Sequence, residues 1–251
     1  MDLSRYAAHL TERDLELFPL TGYGERMGFG RRPVLLVIDV SYAFCGPRPE
    51  PILESVAANH NSCGEEAWAA VERTVELIAA ARAKRVPVIY TTGVDAPIAG
   101  LFGLGRWLDK CPREAEDQTP EANAIVAPIA PRPEDIVIEK LKPSAFFGTM
   151  LEGYLAQLGA DSIITCGVAT SGCVRATVVD GFSYNHRMLV VEECTFDRGE
   201  ATHWINLFDM DLKYADVVTL EETLGYLASL EAGLFDEQMP VLAGAPAPAH
   251  S

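Results

Sequence analysis

The chain has 251 residues, 49% of them hydrophobic, enough for one α/β domain with a full core and too many for wholesale disorder. Its formal net charge is −16, from 20 basic and 36 acidic side chains, which disfavours nucleic acid and anionic membrane surfaces as partners. An anionic small molecule stays open, because the local field at a site outweighs the total. No stretch approaches the roughly 18 apolar residues that a membrane helix needs. The charged N-terminus, MDLSRYAAHLTERDLELF, lacks the apolar run of a signal peptide. The cysteines (Cys45, Cys63, Cys111, Cys166, Cys173 and Cys194) form no C-x-x-C pair and no zinc-type spacing. A cytoplasmic protein with reduced thiols is the expectation.

Residues 1–32 precede the first strand as an extension that wraps the surface or reaches a neighbouring subunit. Residues 34–38, VLLVI, are a continuous apolar run ending at Asp39, as in a parallel strand buried on both faces. Residues 65–85 carry Trp68, Val71, Val75 and Ile78 at helical spacing. Strands follow at 86–90 and, after a long insertion, at 136–138. Residues 149–158 read as a helix and 163–166 as a buried strand. A loop of small residues, 167–172, leads to Cys173, which opens a helical run over 174–184. A strand at 188–191, a helix at 202–214, a short strand at 217–218 and a helix at 221–230 complete the pattern. Residues 237–251, rich in Ala and Pro, read as a mobile tail.

Six strands alternating with helices predict a three-layer α/β fold. It is a doubly wound sheet of six mostly parallel strands with helices on both faces, a Rossmann-like arrangement over residues 33–236. Ligands in such sheets bind beyond the carboxyl ends of the strands. Asp39, Lys140 and Cys173 all fall at or just after such ends. Singly, each has an ordinary reading: Cys173 a buried inert thiol, Asp39 a strand-end cap, Lys140 a solvated lysine. The helix-start position argues for a Cys173 thiol of lowered pKa. Together, a thiol, a carboxylate and an ammonium suit nucleophilic acyl transfer without a histidine.

Four motifs in order carry a resemblance to a known family: VLLVIDVSYAF with Asp39, EKLKPSAFFGT with Lys140, GVATSGCVRATVVD with Cys173, and NLFDMDLKYADV. The chain resembles the isochorismatase-like cysteine hydrolases over roughly residues 33–214. Through SAFFGTML, ATSGCVRATVVD and NLFDM it is most similar to the branch that hydrolyses N-carbamoylsarcosine and maleamate. The resemblance implies a catalytic triad of Asp39, Lys140 and Cys173. It implies a cis peptide at Val168–Ala169 and an oxyanion hole from the N–H groups of Ala169 and Cys173. It selects Lys140 over Lys142, which becomes a surface lysine. Arg198 would bind a substrate carboxylate, its alternative being an ion pair with Asp197 or Glu200. Thr170 is a further candidate for substrate binding.

The reaction implied is hydrolysis of a C–N bond in a small linear amide or ureido compound, through a thioester, with release of ammonia. Maleamate, ureidoacrylate and biuret-type substrates are alternatives within the fold, and a non-catalytic interaction scaffold is the alternative outside it. The loop reads GVAT where close relatives more often have GATT, which leaves the substrate open. Two further segments differ and would set specificity. Residues 45–66 are a possible pocket wall, and residues 96–113, with Leu101, Phe102 and Trp107, a lid or a subunit contact. No cofactor is expected, and no metal. His60 stands alone, His186, His203 and His250 have no ligand spacing, and Gly22, Gly24, Gly28 and Gly30 precede the first strand, where they cannot form a dinucleotide fingerprint. A homodimer or homotetramer is expected.

Overall fold

The computed structural model describes residues 1–95 and 103–240. The six residues of the first strand, β1 (Pro33–Ile38), are all buried. Their side chains alternate between two cores, as a pleated strand requires. Val34, Leu36 and Ile38 enter one, Leu35 and Val37 the other. Five further strands complete one sheet: β2 (Val88–Thr92), β3 (Ile136–Glu139), β4 (Ser162–Val168), β5 (Arg187–Phe196) and β6 (Asp216–Val218). The spatial order is β3-β2-β1-β4-β5-β6, and every pairing is parallel.

Among the described residues, the α-helices of eight or more residues are α1 (Gly64–Ala83), α2 (Leu151–Leu158), α3 (Arg175–Ser183), α4 (Glu200–Lys213) and α5 (Leu220–Ser229). On one face, Val71, Leu77 and Ile78 of α1 and Leu227 of α5 pack on Leu35, Tyr90, Ile164 and Leu189. On the other, residues of α2, α3 and α4, among them Leu155, Val178 and Leu207, pack on Leu36, Ile163 and Val190. No helix of the described residues is long and apolar enough to cross a membrane.

The expected elements are present with shifted ends. The largest shift is in β5, which runs to Phe196 rather than stopping at residue 191. Glu192 and Glu193 interrupt its apolar run, but each is held: Arg5 pairs with Glu192, and the Leu220 N–H donates to Glu193 at 2.8 Å. The extension pairs Gly167 with Thr195 and Val168 with Phe196. It thereby carries residues 197 and 198 up to the end of β4. The end of β2 shifts too, where Thr91 and Thr92, β-branched and buried, continue the strand past Tyr90.

Residues 1–32 hold to the same domain. Tyr6 is fully buried, its ring edge-on to Phe208 at 5.4 Å and its hydroxyl donating to Asp211 at 3.1 Å. At the other end Phe235 is fully buried beneath the Arg32 guanidinium, and Met239 packs on the same core. The chain is therefore held past residue 237; residues 241–251, with His250, lie outside the described residues.

The order of the sheet reverses between β1 and β4. A crevice opens at such a point, because the connections on either side run in opposite directions. Asp39 follows β1 and the Cys173 loop follows β4.

Candidate active site

Asp39 ends β1 with a left-handed backbone, φ 53°, which costs a non-glycine residue on the order of 1–3 kcal/mol. Two hydrogen bonds fix it: its N–H donates to the Thr91 carbonyl at 3.1 Å, and its carbonyl accepts from the Ser41 N–H at 2.7 Å. The Thr91 hydroxyl donates to one carboxylate oxygen at 2.7 Å. The other oxygen lies 2.7 Å from Lys140 Nζ, in a pair whose side chains are each 5% exposed.

Lys140 comes from the end of edge strand β3, where its N–H donates to the Thr92 carbonyl at 2.9 Å. Its ammonium reaches three acceptors: Asp39, the Lys142 carbonyl at 3.1 Å and the Cys173 sulfur at 3.3 Å. Burial pulls its pKa down, but the Asp39 charge, Cys173 and their hydrogen bonds outweigh this, and the net shift is upward.

Cys173 lies in a turn, Thr170–Val174, that runs directly into α3. The peptide before it, Val168–Ala169, is cis. At Gly167, φ is 111° and a Cβ would sit 2.1 Å from the Ile38 carbonyl oxygen, so only glycine lets β4 approach β1 here. The Cys173 end of α3 is tied to the Lys140 side of the site. Thr177 donates to the Cys173 carbonyl at 2.7 Å and accepts from the Ala145 N–H at 2.9 Å.

The sequence-based expectation of an acidic thiol is corrected. Burial pushes the Cys173 thiol up to about 12, against the pull of Lys140; the Asp39 charge and hydrogen bond push the same way as burial. The thiol, partly exposed on the cavity, has beside it a carboxylate that could take its proton.

The three side chains open onto a cavity of about 180 Å³. Other parts of its wall come from the two segments expected to set specificity: Asn61 from one, Leu104, Trp107 and Cys111 from the other. Leu101 and Phe102, proposed for the lid or contact, lie outside the described residues. Lys142 is not a free surface lysine; its ammonium donates to the Leu104 carbonyl at 2.6 Å on the pocket rim.

Arg198 lines the same cavity. Its guanidinium donates to the Asn61 carbonyl at 2.8 Å, and among the described residues no carboxylate lies within 4.0 Å of it. Asp197 is engaged elsewhere, accepting from the Ser171 N–H at 2.8 Å and the Ser171 hydroxyl at 2.6 Å. The guanidinium is thus oriented without being neutralised. Thr170 goes the other way from its expected role. Its side chain is fully buried and its hydroxyl meets His203 Nδ1 at 2.8 Å, so it does not line the pocket.

Reading the sequence missed Thr91, Asn61, Asp197 and His203. Thr91 alone had a local signal, a β-branched pair continuing a strand; the others are contacts between segments far apart in the chain.

The residues so assembled belong to a parallel α/β fold with a thiol, carboxylate and ammonium at its switch point. The isochorismatase domain is matched over residues 33–222, and the chain belongs to the isochorismatase family. Its relatives include the maleamate amidohydrolase of Pseudomonas putida, 36% identical over 210 residues, covering 83% of this chain and 92% of the relative. The N-carbamoylsarcosine amidase of an Arthrobacter species is 33% identical over 244 residues, covering 94% of this chain and 86% of the relative. Among solved structures, a cysteine hydrolase from Pseudomonas syringae superposes with a TM-score of 0.72 at 21% identity, covering 84% of this chain and 99% of that one, and so shares the fold.

Proposed function

We propose that the chain hydrolyses the C–N bond of a small linear amide or ureido acid through a thioester on Cys173. The observation that carries this reading is the Lys140 ammonium, which touches both the Asp39 carboxylate and the Cys173 sulfur at the mouth of a small cavity. The relatives' names, as amidohydrolases, support the hydrolase class.

Asp39 takes the thiol proton as the sulfur attacks the amide carbonyl. The N–H groups of Ala169 and Cys173 receive the oxyanion that forms. The C–N bond breaks, the proton passes from Asp39 to the departing nitrogen, and ammonia leaves. Asp39 then takes a proton from water, whose hydroxide attacks the thioester. The acid is released and the thiol is re-formed with that proton. Lys140 holds both partners in place and balances whichever of them is anionic. Arg198 pairs with the substrate carboxylate. The small cavity favours a short substrate.

The test is ammonia release from N-carbamoylsarcosine, maleamate, ureidoacrylate, biuret and nicotinamide. Release from one or more linear amides, abolished in Cys173→Ala, is expected. Folded protein that releases none from any of them removes the proposal. The same reading takes the chain to be a dimer or tetramer, supported by Phe147, Met150 and Tyr184, which are 66%, 65% and 55% exposed. A 27.3 kDa species alone in light scattering at micromolar concentration would remove that part.

A further inference from the structure

The loop that carries Cys173 has two sides. One faces the cavity with the triad. The other is gripped by two groups at the β5–α4 junction. Asp197 accepts both the N–H and the hydroxyl of Ser171, and His203 meets the hydroxyl of Thr170. These two loop residues stand between the cis peptide and the nucleophile. Thr170 directly follows Ala169, whose N–H is one of the two proposed oxyanion donors.

We infer that His203 is a positioning residue, which holds the Ala169–Cys173 loop in its reactive geometry through the Thr170 hydroxyl. The inference rests on the proposed cysteine mechanism. Its physical basis is directional. Ala169, Thr170 and Val174 of the loop are buried, so a polar group there has few alternative partners, and its hydrogen bonds help set the loop's direction. A buried side-chain hydrogen bond is worth most where the alternative is an unpaired group. Thr170 is fully buried, and rotation of its hydroxyl away from His203 would leave both atoms without a partner. His203 is itself braced. Its ring meets Trp204 edge-on at 5.2 Å, and Trp204 stacks on His9 at 5.1 Å. The extension at residues 1–32 therefore backs the nucleophile loop through a chain of three aromatic rings. Burial lowers the His203 pKa, so the imidazole is neutral near pH 7 and either tautomer makes the bond.

A misplacement near 1 Å can cost about a hundredfold in rate without weakening substrate binding. His203→Ala and Thr170→Val are each expected to lower kcat about ten- to hundredfold, with KM within about threefold of wild type. His203→Asn, which can restore a polar atom near the Nδ1 position, should recover most of the loss. The decisive measurement is the double variant. If the two side chains act through one hydrogen bond, His203→Ala/Thr170→Val is no slower than the worse single variant. Losses that multiply, a His203→Asn as slow as His203→Ala, or a rise in KM at constant kcat would overturn the inference. The rate of Cys173 alkylation by iodoacetamide supplies a readout that needs no substrate. If wild type releases no ammonia from any amide, the proposed function falls, and the same non-additivity in labelling rates still decides whether His203 and Thr170 act as one unit.

Discussion

The two halves of the sheet are built to different standards. From β4 to β6 the connections are short and regular: α3 and α4 join consecutive strands with a few loop residues at each end. From β2 to β3 the chain takes 43 residues, 93–135, and its described helical pieces there are at most six residues long. The regular half supplies the Cys173 loop and its braces. The irregular half supplies pocket walls, through Leu104, Trp107 and Cys111. Cys173 thus sits on the regular part, Lys140 at the end of the irregular connection, and several pocket walls within that connection, which also anchors itself in the core through Val126 and Ile129.

The sharpest way to break this comparison is at the nucleophile. Cys173→Ala should abolish ammonia release with circular dichroism unchanged; a loss under about tenfold, roughly 1.4 kcal/mol, would remove the thiol from the reaction. Next is the lysine pair. Lys140→Met should cost about 10²- to 10⁴-fold in kcat, since it strands a buried carboxylate and removes a charge that pulls the thiol pKa down. Lys142→Met, which loses a rim contact to Leu104, should cost under tenfold. A reversed order of the two would show that the strand is read out of step.

Arg198→Ala tests the wall shared by both halves. For an acidic amide, kcat/KM should fall by about 2 kcal/mol, roughly thirtyfold, while a neutral amide of the same size should be little affected. Equal losses would mean that the guanidinium only braces Asn61. Trp107→Ala, in the irregular half, should change the ranking of substrates by less than about tenfold and leave the pH profile of Cys173 labelling untouched. A loss as large as that of Lys140→Met would erase the division between the halves.

The smallest expected effect is on stability. Burial holds the His203 pKa below the usual 6.5; Asp197 opposes the shift, His9 adds to it, and Glu192, Glu200 and Arg73 line the neighbouring cavity. A lowered histidine contributes stability that is complete above its unfolded value near 6.5 and is lost as pH falls through the folded value. Wild type should therefore lose a few degrees of Tm between pH 7 and pH 5 that His203→Asn does not lose. Identical pH dependence in the two would show that the imidazole carries no such coupling.

Asp39, Lys140 and Cys173 were legible because strand ends are legible: a run such as VLLVI stops visibly, and a parallel sheet gathers its ends. The family resemblance added the choice of Lys140 over Lys142. Thr170 was misplaced because nothing periodic governs a loop of small residues; its direction is set by a turn and by His203, 33 positions away. The end of β5 was lost because two glutamates look like a strand end, although Arg5 and the Leu220 N–H neutralise or bond them. The acidity of Cys173 was misjudged because position relative to a helix is visible in sequence, whereas depth of burial is not.

The three acceptors around the Lys140 ammonium have a consequence for the charge balance of the cycle. Each N–H already has a partner, so in the proposed cycle the lysine acts as a fixed counterion. In the proposed first step a proton moves from sulfur to Asp39, and the negative charge moves the opposite way, from carboxylate to sulfur, while the cation beside both stays put. The triad is electroneutral before and after. The field of a molecule carrying −16 therefore acts on substrate entry far more than on activation of the nucleophile.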